Sequence, residues 1–407
     1  MFDSIYSAYT GLLSFSKALT VLSNNVSNMN TPGFKSSDLT FRDLFYQFSS
    51  SGGQTTEQDS QIGEGTRATG TRVDFAQGQL TNTGNPLDAA ITGLGFFVLH
   101  DGGSTYYTRT GQFDVNTDGF LIDKTSGARV QALDGAQGLS DINLSSLQTS
   151  TAKPTATVSF VGNLSRGATS DQITPITVYD SVGGTHTWTL NLTNNNTATT
   201  GSWLLQVQDE NKNTVGNGEL RFSADGSPTA GFNTVAITLA PDKVAASTIT
   251  LNFGDAGSFS GATNFSGGTT SDLKVNTQDG YTSGSLVTTS FDAQGFITLS
   301  YSNGQTKKGP QLALASFNNL QRLHQFGNQL FTNPDGSRPL LGAANGQAMG
   351  TVTSNQVEMS NVDLTQQFTN LVIIQRGYQS SSEVISVANQ MIQQLVDMRT
   401  GGSSGGG

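Results

Sequence analysis

Apolar side chains recur in alternating steps of three and four residues at both ends of the chain. Such spacing places them on one face of an α-helix, like the seam of a coiled coil. The stripe near the N-terminus consists of Ile5, Ala8, Leu12, Phe15, Leu19, Leu22 and Val26. The stripe near the C-terminus consists of Leu371, Ile374, Tyr378, Ser381, Ile385, Ala388, Ile392 and Leu395. We predict a helix over residues 3–28 and another beginning near Asp363, after an N-cap region at 360–363. Each stripe needs a partner helix, from the other end of the chain or from another copy.

Between these helices the apolar period changes to two, which is typical of β-strands. We predict strands at 96–99, 106–113 and 120–122 in a first block, followed by a second β-rich block at 156–282 and a third at 283–357. In the second block Trp188 and Trp203 head two alternating runs, which predicts that both indoles lie in one core. Residues 38–48 fit either a short helix or an extended arm, and residues 49–61 read as a loop.

The elements follow in the order helix, β, β, β, helix. This order predicts a mixed, mainly β fold with nested domains. In this fold the terminal helices form a coiled-coil-like core layer, and the second β-rich domain is inserted in the first. The predicted divisions are a terminal helical assembly domain at 1–30 and 363–400, a connecting segment at 31–70 and 358–362, a discontinuous β-rich inner domain at 71–150 and 283–357, an inserted β-rich outer domain at 151–282, and a flexible tail at 401–407.

Composition removes several function classes. The 407 residues carry a net charge of −10 and no dense basic cluster, which argues against a nucleic-acid partner. The absence of cysteine excludes disulfides, thiolate nucleophiles and Cys-bound metals. No apolar run is long enough for a membrane span, so we expect no stable membrane insertion. Met1-Phe2-Asp3 does not open a signal peptide, and we expect either a cytoplasmic protein or export without a cleaved signal.

One segment resembles a metal-binding loop. Asp114, Asn116, Asp118 and Gly119 match the front half of a calcium loop, but Thr125 stands where a bidentate Glu belongs. We therefore interpret this segment as a β-hairpin whose turn is built of Asn, Asp and Gly. The histidines, His100, His186 and His324, are scattered, and His186 reads as an exposed residue alternating with the core residue Trp188. We expect no metal, no cofactor and no catalytic residues, and hence no enzymatic activity.

A set of uncharged polar residues marks one face of the C-terminal helix. The candidates for a surface that faces water in a confined channel are Gln375, Gln379, Gln390, Gln393 and Gln394. An ordinary solvated helix face explains these glutamines equally well.

Motifs near both ends resemble a known family, the bacterial flagellar rod and hook proteins. The N-terminal signature runs from Asn24 to Lys35, and the C-terminal signature covers Ser360–Leu364 and Gln375–Gln379. The residues that carry the resemblance are Asn24, Asn25, Asn28, Gly33, Phe34, Lys35, Ser360, Asn361, Asp363, Gln375, Arg376 and Tyr378. Residues 80–91, 95–97, 107–113 and 118–119 resemble the first β segment of the family. The insertion at 156–282, with residues 179–186, resembles the hook branch of the family.

The resemblance implies a structural protein that self-assembles into a hollow, curved tube, the hook, which acts as a universal joint and transmits torque from rod to filament. It implies self-assembly through the apolar stripes, with the C-terminal helix lining the channel. It also implies export by the flagellar type III apparatus to an extracellular hook. The implied partners are further copies of the chain, a distal rod protein, a hook cap protein and a hook–filament junction protein.

Three alternatives stay open at this point, and one of them is a phage-tail or needle-type tube protein. A distal rod protein with an insertion would belong to the same family. A secreted β-rich carbohydrate-binding protein or hydrolase would explain the β-rich middle but would leave both striped helices unexplained.

Overall fold

The computed structural model describes residues 2–49, 60–135, 138–241, 243–346 and 349–401. The chain divides into two compact units. The first unit comprises Met1–Ser145, Thr289–Thr298 and Lys308–Gly407, and the second comprises Ser146–Thr288 and Leu299–Lys307. The finer division drawn from the sequence stays a prediction.

Both terminal helices are present, as the apolar stripes predict. Helix α1 spans Phe2–Ser27 and helix α2 spans Leu364–Gly401. Asp363 caps α2, because its Oδ1 accepts hydrogen bonds from the backbone N–H of Thr365 at 2.8 Å and of Gln366 at 3.1 Å. Apart from Gly401, the predicted flexible tail lies outside the described residues.

The first run of strands begins directly after α1. It contains β1 (Ser37–Asp43), β2 (Tyr46–Ser49), β3 (Ser60–Gly63), β4 (Thr66–Val73), β5 (Leu80–Asn82), β6 (Ala89–Thr92), β7 (Phe96–Asp101), β8 (Ser104–Thr108), β9 (Phe113–Val115), β10 (Leu121–Asp123), β11 (Arg129–Asp134) and β12 (Gly138–Asp141). The extended alternative for residues 38–48 is correct, since β1 pairs antiparallel with β4. The loop predicted at 49–61 falls largely outside the described residues.

One strand prediction is wrong. The single strand expected over 106–113 is broken, because β8 ends at Thr108 and β9 begins only at Phe113. In between, the Arg109 side chain turns into the interior and is 4% exposed. The polar run between the strands therefore forms part of the core rather than a ladder.

The second unit contains a β-rich core built from ten further strands in this order along the chain. They are β13 (Thr149–Ser150), β14 (Thr157–Asn163), β15 (Ser170–Tyr179), β16 (Thr185–Asn194), β17 (Ser202–Gln208), β18 (Thr214–Arg221), β19 (Thr234–Leu239), β20 (Ser247–Asn252), β21 (Ala262–Thr263) and β22 (Lys274–Gln278). One sheet has the order β15-β16-β17-β18, and another follows β19-β20-β14-β21 with β22 also on β14. Trp188 and Trp203 are fully buried in one cluster, which confirms the shared core.

The last run of strands begins in the second unit and ends in the first. It contains β23 (Gly284–Phe291), β24 (Phe296–Tyr301), β25 (Thr306–Gln311), β26 (Leu314–Ser316), β27 (His324–Gly327), β28 (Leu330–Thr332), β29 (Leu340–Gly342), β30 (Thr351–Ser354) and β31 (Gln356–Glu358). Strands β23, β24 and β25 each cross the division between the two units. Late strands pair with early ones: β26 with β7, β28 with β8, β30 with β6 and β31 with β5. This closure confirms the mainly β fold class with terminal helices and an inserted second domain.

Aromatic side chains from both runs form the core of the first unit. Phe96 packs edge-on against Phe317 and Phe331, with ring centroids 5.9 and 5.8 Å apart. Phe75 joins from the segment that follows β4, 5.4 Å from Phe331. Edge-on aromatic pairs add stabilisation beyond their buried area. These aromatic contacts therefore stabilise the β-rich part of the first unit, the unit that also contains both terminal helices.

Candidate self-assembly site

The two terminal helices pack against each other in antiparallel fashion. Asn25 near the end of α1 contacts Gln367 near the start of α2, with Nδ2 3.2 Å from Oε1. Further along, Phe15 lies at Gly377 and Gly11 lies at Ser381. Each step toward the start of α1 is matched by a step toward the end of α2. The partner helix that each apolar stripe requires is thus supplied by the other end of the same chain.

Most of the predicted stripe lies in this intramolecular seam. Ala8 and Leu22 are buried, and Ile5, Leu12, Phe15, Leu19 and Val26 are half-buried. On α2, Leu371, Ile374, Ile385 and Ile392 are half-buried, whereas Tyr378 and Leu395 are 42% and 52% exposed. The buried and half-buried residues hold the helix pair of one chain together, and the participation of the stripes in contacts between copies stays a prediction.

Two glycines allow the helices to approach closely. A Cβ at Gly377 would lie 2.6 Å from Cζ of Phe15 and within 2.9 Å of two further ring atoms. A Cβ at Gly11 would meet only the hydroxyl of Ser381, at 3.1 Å. Glycine within a helix costs up to about 1 kcal/mol relative to alanine. At Gly377 this cost is offset because the Phe15 ring fills the space that a side chain would occupy.

A second apolar face remains exposed after the helices have paired. On α1 it comprises Tyr6, Tyr9 and Leu13, and on α2 it comprises Phe368, Val372, Ile373, Val384, Val387, Met391 and Met398. A concentration of exposed apolar side chains of this kind is typical of an interaction site. Sequence reasoning missed these residues because they fall off the three-four stripe. The available signal was the scarcity of charge, since Asp3 and Lys17 are the only formal charges in α1.

The glutamine candidates lie on the solvent-exposed side of α2. Gln375, Gln379, Gln390, Gln393 and Gln394 are all exposed. Gln367 differs because it is 6% exposed and is bonded to Asn25. The exposed glutamines are compatible with both readings given above, and a channel-lining role stays a prediction.

Asn25 connects three elements at one end of the helix pair. Its Nδ2 donates to the carbonyl of Ser37 at 2.9 Å, and its Oδ1 accepts from the N–H of Ser37 at 3.0 Å. The side-chain amide thus makes the two hydrogen bonds to Ser37, the first residue of β1, that a neighbouring strand would make. Because Nδ2 also contacts Gln367, one buried side chain fixes α1, β1 and α2 together. This geometry gives a physical role to one residue of the N-terminal signature.

A buried ion cluster lies just beyond this point. Lys35 Nζ lies 2.5 Å from Glu358 Oε1 and donates to the carbonyl of Ala76 at 2.7 Å, and both charged side chains are fully buried. Glu358 Oε1 also accepts from the N–H of Gly78 at 2.8 Å. Arg109 NH1 lies 3.7 Å from Glu358 Oε2, and Arg109 NH2 donates to the carbonyl of Gly93 at 2.7 Å.

The electrostatics of this cluster are costly. Burial lowers the pKa of Lys35, although Glu358 opposes the shift, and burial likewise lowers the pKa of Arg109. Arg109 Nε and Glu358 Oε2 have no hydrogen-bond partner among the described residues. A buried ion pair adds little net stability, but removing one member leaves an uncompensated buried charge. The cluster therefore fixes which segments meet: those after α1, before β5, between β8 and β9, and before α2.

Asn361 completes the joint from the C-terminal side. Its Oδ1 accepts from the N–H of Ser36 at 2.7 Å, and its Nδ2 donates to the carbonyls of Asp74 at 2.8 Å and Ala76 at 3.1 Å. Gly33, with φ +69°, donates its N–H to the carbonyl of Glu358 at 2.7 Å. The N–H of Asn361 also donates to the carbonyl of Phe34 at 3.4 Å, so the two family signatures, far apart in sequence, hydrogen-bond to each other.

The remaining signature residues are more exposed. Asn28 Nδ2 donates to the Asn24 carbonyl at 2.9 Å, which closes the end of α1. Ser360 Oγ accepts from the N–H of Val362 at 3.3 Å, and Phe34 is half-buried. Gln375, Arg376 and Tyr378 are exposed on α2, away from the joint.

The candidate calcium loop is a hairpin, as predicted. Strands β9 and β10 pair antiparallel, and Asn116 Oδ1 accepts from the N–H of Asp118 at 3.1 Å and of Phe120 at 2.8 Å. Gly119 has φ +81°, which the turn requires. Asn116 thus serves the turn. Within the described ranges, no group of three or more His, Asp or Glu side chains is placed to hold a metal ion.

His186 is not the simple exposed residue expected from the sequence. Its Nε2 lies 3.1 Å from Asp180 Oδ2, and its side chain is 24% exposed. Burial alone would raise the pKa of Asp180, but hydrogen bonds from His186 and from the N–H of Gly184 and Val182 lower it. His186 therefore stabilises the turn that follows β15.

The chain matches models of flagellar axial proteins along most of its length. Residues 5–35 match the flagella basal body rod protein model, and residues 353–398 match the C-terminal model of the flagellar basal body rod FlgEFG proteins. Residues 90–165 match the D1 domain of the flagellar hook protein FlgE/F/G model, and residues 143–281 match the D2 domain model of the flagellar basal body protein FlaE. Paired terminal helices on a β-rich body, with these matches, define an axial protein of the bacterial flagellum.

Similarity over the full length narrows this class. The chain is 31% identical to the flagellar hook protein FlgE of Escherichia coli K12, over 96% of this chain and 99% of that protein. It is 29% identical to FlgE of Borreliella burgdorferi, over 98% and 100% of the two chains, and 29% identical to FlgE of Salmonella typhimurium, over 97% and 100%. The chain belongs to the flagellar hook protein FlgE family.

Among solved structures, the crystal structure of the Helicobacter pylori flagellar hook protein FlgE2 matches with a TM-score of 0.46 at 12% identity, covering 70% of this chain and 100% of that one.

Family membership makes this chain a structural subunit of the hook, and the distal rod alternative is not favoured. No helix in the described part of the chain is long and apolar enough to cross a membrane.

We expect Gly377→Ala to separate the helices at Phe15, because the added Cβ would overlap the ring. Amide exchange in the middle of α1 and α2 should accelerate about tenfold, which corresponds to roughly 1.4 kcal/mol. Gly11→Ala is the matched control, since its Cβ meets only the terminal hydroxyl of Ser381. Equal exchange rates in both variants would show that the close approach at Phe15 does not hold the pair together.

We expect Lys35→Met to destabilise the first unit by about 3–5 kcal/mol, because it leaves Glu358 buried without its main partner. Calorimetry of the unassembled chain should show a Tm lower by on the order of 10 °C. The matched control is Lys308→Ala, which removes a 66% exposed lysine paired with Asp292 at 3.1 Å and should cost less than about 1 kcal/mol. A similar loss in both variants would contradict the assigned role of the cluster.

Proposed function

We propose that this hook subunit polymerises through the exposed apolar face of its helix pair into a hollow, curved tube. The tube acts as a universal joint that transmits torque from rod to filament. The observation that carries the proposal is that α1 and α2 cover each other along one apolar stripe and still expose a second apolar face. Tyr6, Tyr9 and Leu13 on α1, and Val384 and Val387 on α2, belong to that second face.

The composition of the helix pair supports an interior position in the tube. Charged residues are rare on α1, and desolvating a charge between packed copies would be costly. The exposed glutamines of α2, represented by Gln379 and Gln390, carry neutral polar side chains. We propose that these glutamines line the central channel, where their uncharged amides do not hold exported chains.

The proposal extends to location and partners through the family. The chain would reach an extracellular hook by flagellar type III export, without a cleaved signal. Its neighbours would be further copies, a distal rod protein at one end, and a hook cap protein and a hook–filament junction protein at the other. We propose a structural role without enzymatic activity. The carbohydrate-binding or hydrolase alternative is weaker because it gives no role to the exposed apolar helix face.

We expect the double variant Tyr9→Gln/Leu13→Gln to remain folded and to lose most of its ability to form tubes. The wild-type residues are 58% and 49% exposed in the single chain, so about half of their surface is available to contact another copy. Burying a large apolar side chain contributes about 1.5–3 kcal/mol, so the critical concentration should rise at least tenfold. Sedimentation and electron microscopy of the purified protein measure this.

The control is Leu94→Gln, which replaces a 61% exposed leucine away from the helices. This variant should polymerise like the wild type. Tubes formed equally well by the double variant, or an equal loss in the control, would contradict assembly through the helix face. A wild-type protein that forms no tubes under any condition that supports hook assembly would contradict the proposed function itself.

A further inference from the structure

Each terminal helix carries one isolated charge on the side that faces away from the seam. Lys17 is the only cation of α1, and Glu383 is the only anion within residues 364–396 of α2. Each charge lies two residues after a seam residue, Phe15 or Ser381, and at 100° per residue it is turned about 160° away from that residue. Both charged residues are exposed, and neither has a hydrogen-bond or ion-pair partner for its side chain in the described part of the chain.

Exposed apolar side chains accompany these two charges at the same spacing. On α1, Leu13 and Tyr9 lie four and eight residues before the lysine and are 49% and 58% exposed. On α2, Val387 and Met391 lie four and eight residues after the glutamate and are 45% and 47% exposed. Residues four apart are neighbours on a helix surface and form the rows that pack between helices. The two rows therefore match in spacing, carry opposite charges and run in opposite chain directions.

One register brings the two rows together between copies. All copies point the same way along a tube, so α1 of one copy runs antiparallel to α2 of its neighbour. When the lysine of one copy lies opposite the glutamate of the next, Leu13 lies opposite Val387, and Tyr9 lies opposite Met391. Each apolar residue of the first row thus meets an apolar residue of the second.

The seam within one chain has a different register. There Gly11 lies at Ser381, and Phe15 lies at Gly377. This register places the lysine and the glutamate of one chain about eight residues apart along the helix axis, which corresponds to about 12 Å. Because both side chains also point away from the seam, only a second copy can bring them together.

Assembly through the apolar face makes such an ion pair necessary. A contact that covers Leu13 and Val387 also removes water from the charges one helical turn away. A charge that loses its hydration without gaining a partner is costly, whereas a paired charge is compensated. Charged groups beside an apolar seam between helices set the choice of partner and its orientation. The lysine and the glutamate therefore favour the one register in which both charges are compensated.

This contact leaves the glutamines of α2 uncovered. At 100° per residue, Val387 and Met391 are rotated by about 40° and 80° to one side of Glu383. Gln379 and Gln375 are rotated by about the same angles to the other side. A helix that packs on Val387 thus leaves these glutamines free, as the proposed channel lining requires.

Resting on the proposed function, we propose that Lys17 of one copy forms an ion pair with Glu383 of the next copy and sets the register in which their helices pack. The contact joins two different surfaces, the outer side of α1 and the outer side of α2, and each copy offers one of each. Contacts of this type generate open helical polymers when the rotation between copies does not close. A shift by one helical turn would place each charge against an apolar side chain, so the pair selects against neighbouring registers.

We expect Lys17→Glu and Glu383→Lys each to raise the critical concentration for tube formation by at least about tenfold, because like charges then face each other in the contact. Both residues are exposed, so the monomers should keep the Tm and the far-ultraviolet circular dichroism of the wild type. An equimolar mixture of the two variants should again form tubes, since every contact between unlike copies places a cation opposite an anion. Rescue by mixing requires that the two side chains meet between copies.

The matched controls reverse exposed charges outside the helices. Lys124→Glu and Glu210→Lys change the net charge of the chain by the same amounts, and both positions are exposed. These variants should form tubes at the critical concentration of the wild type.

A crosslinking measurement tests the register directly, because the natural chain contains no cysteine. Leu13→Cys in one preparation is mixed with Val387→Cys in another, and the tubes are treated with a short bismaleimide. Peptide mapping should find the crosslink between positions 13 and 387 at least about tenfold more often than the crosslink in a control mixture of Leu13→Cys with Gln379→Cys. The control position lies about 12 Å of helix away from Val387.

The outcomes separate this contact from assembly in general. Wild-type tubes together with unimpaired assembly of both charge reversals would overturn the ion pair and leave the proposed function intact. Impaired reversals that mixing does not rescue would overturn it as well, since the two charges would then not meet between copies. Crosslinking no better than in the control mixture would overturn the register. Absence of tubes from the wild type would overturn the proposed function instead.

Discussion

The carboxylate of Glu358 is the constraint on which the helix pair depends. It is fully buried between Lys35 and Arg109, and it also accepts a backbone N–H from Gly78. Few other arrangements of the chain around this charge are stable, because an unpaired buried carboxylate costs several kcal/mol. Segments before β5, after α1 and before α2 must therefore arrive at one point. Asn25 and Asn361 extend the same joint with amide groups that bond backbone as a strand would. The position of the helices is set by polar chemistry, although the helices themselves are paired by apolar contacts.

Because polar contacts position the helices and apolar contacts pair them, each helix can have low stability on its own. Gly377 lowers the intrinsic helix propensity of α2, yet it admits the Phe15 ring into the seam. Stability that comes from packing is available only when both helices are brought together, and the buried joint brings them together. After pairing, residues such as Tyr9 and Val387 still face solvent. A helix pair whose second face is unsatisfied is suited to polymerisation, since further copies can cover that face.

The sequence predicted the helices well because their apolar period is long and regular, and it predicted the shared tryptophan core because strand alternation is strict around Trp188. It failed where a polar residue turns inward. Arg109 sits in a run that reads as strand, and its burial depends on Glu358, almost 250 residues away. The period of a single helix also could not distinguish the intramolecular seam from the outer face. Both are apolar, and only the antiparallel register shows which positions, such as Leu22, are already covered.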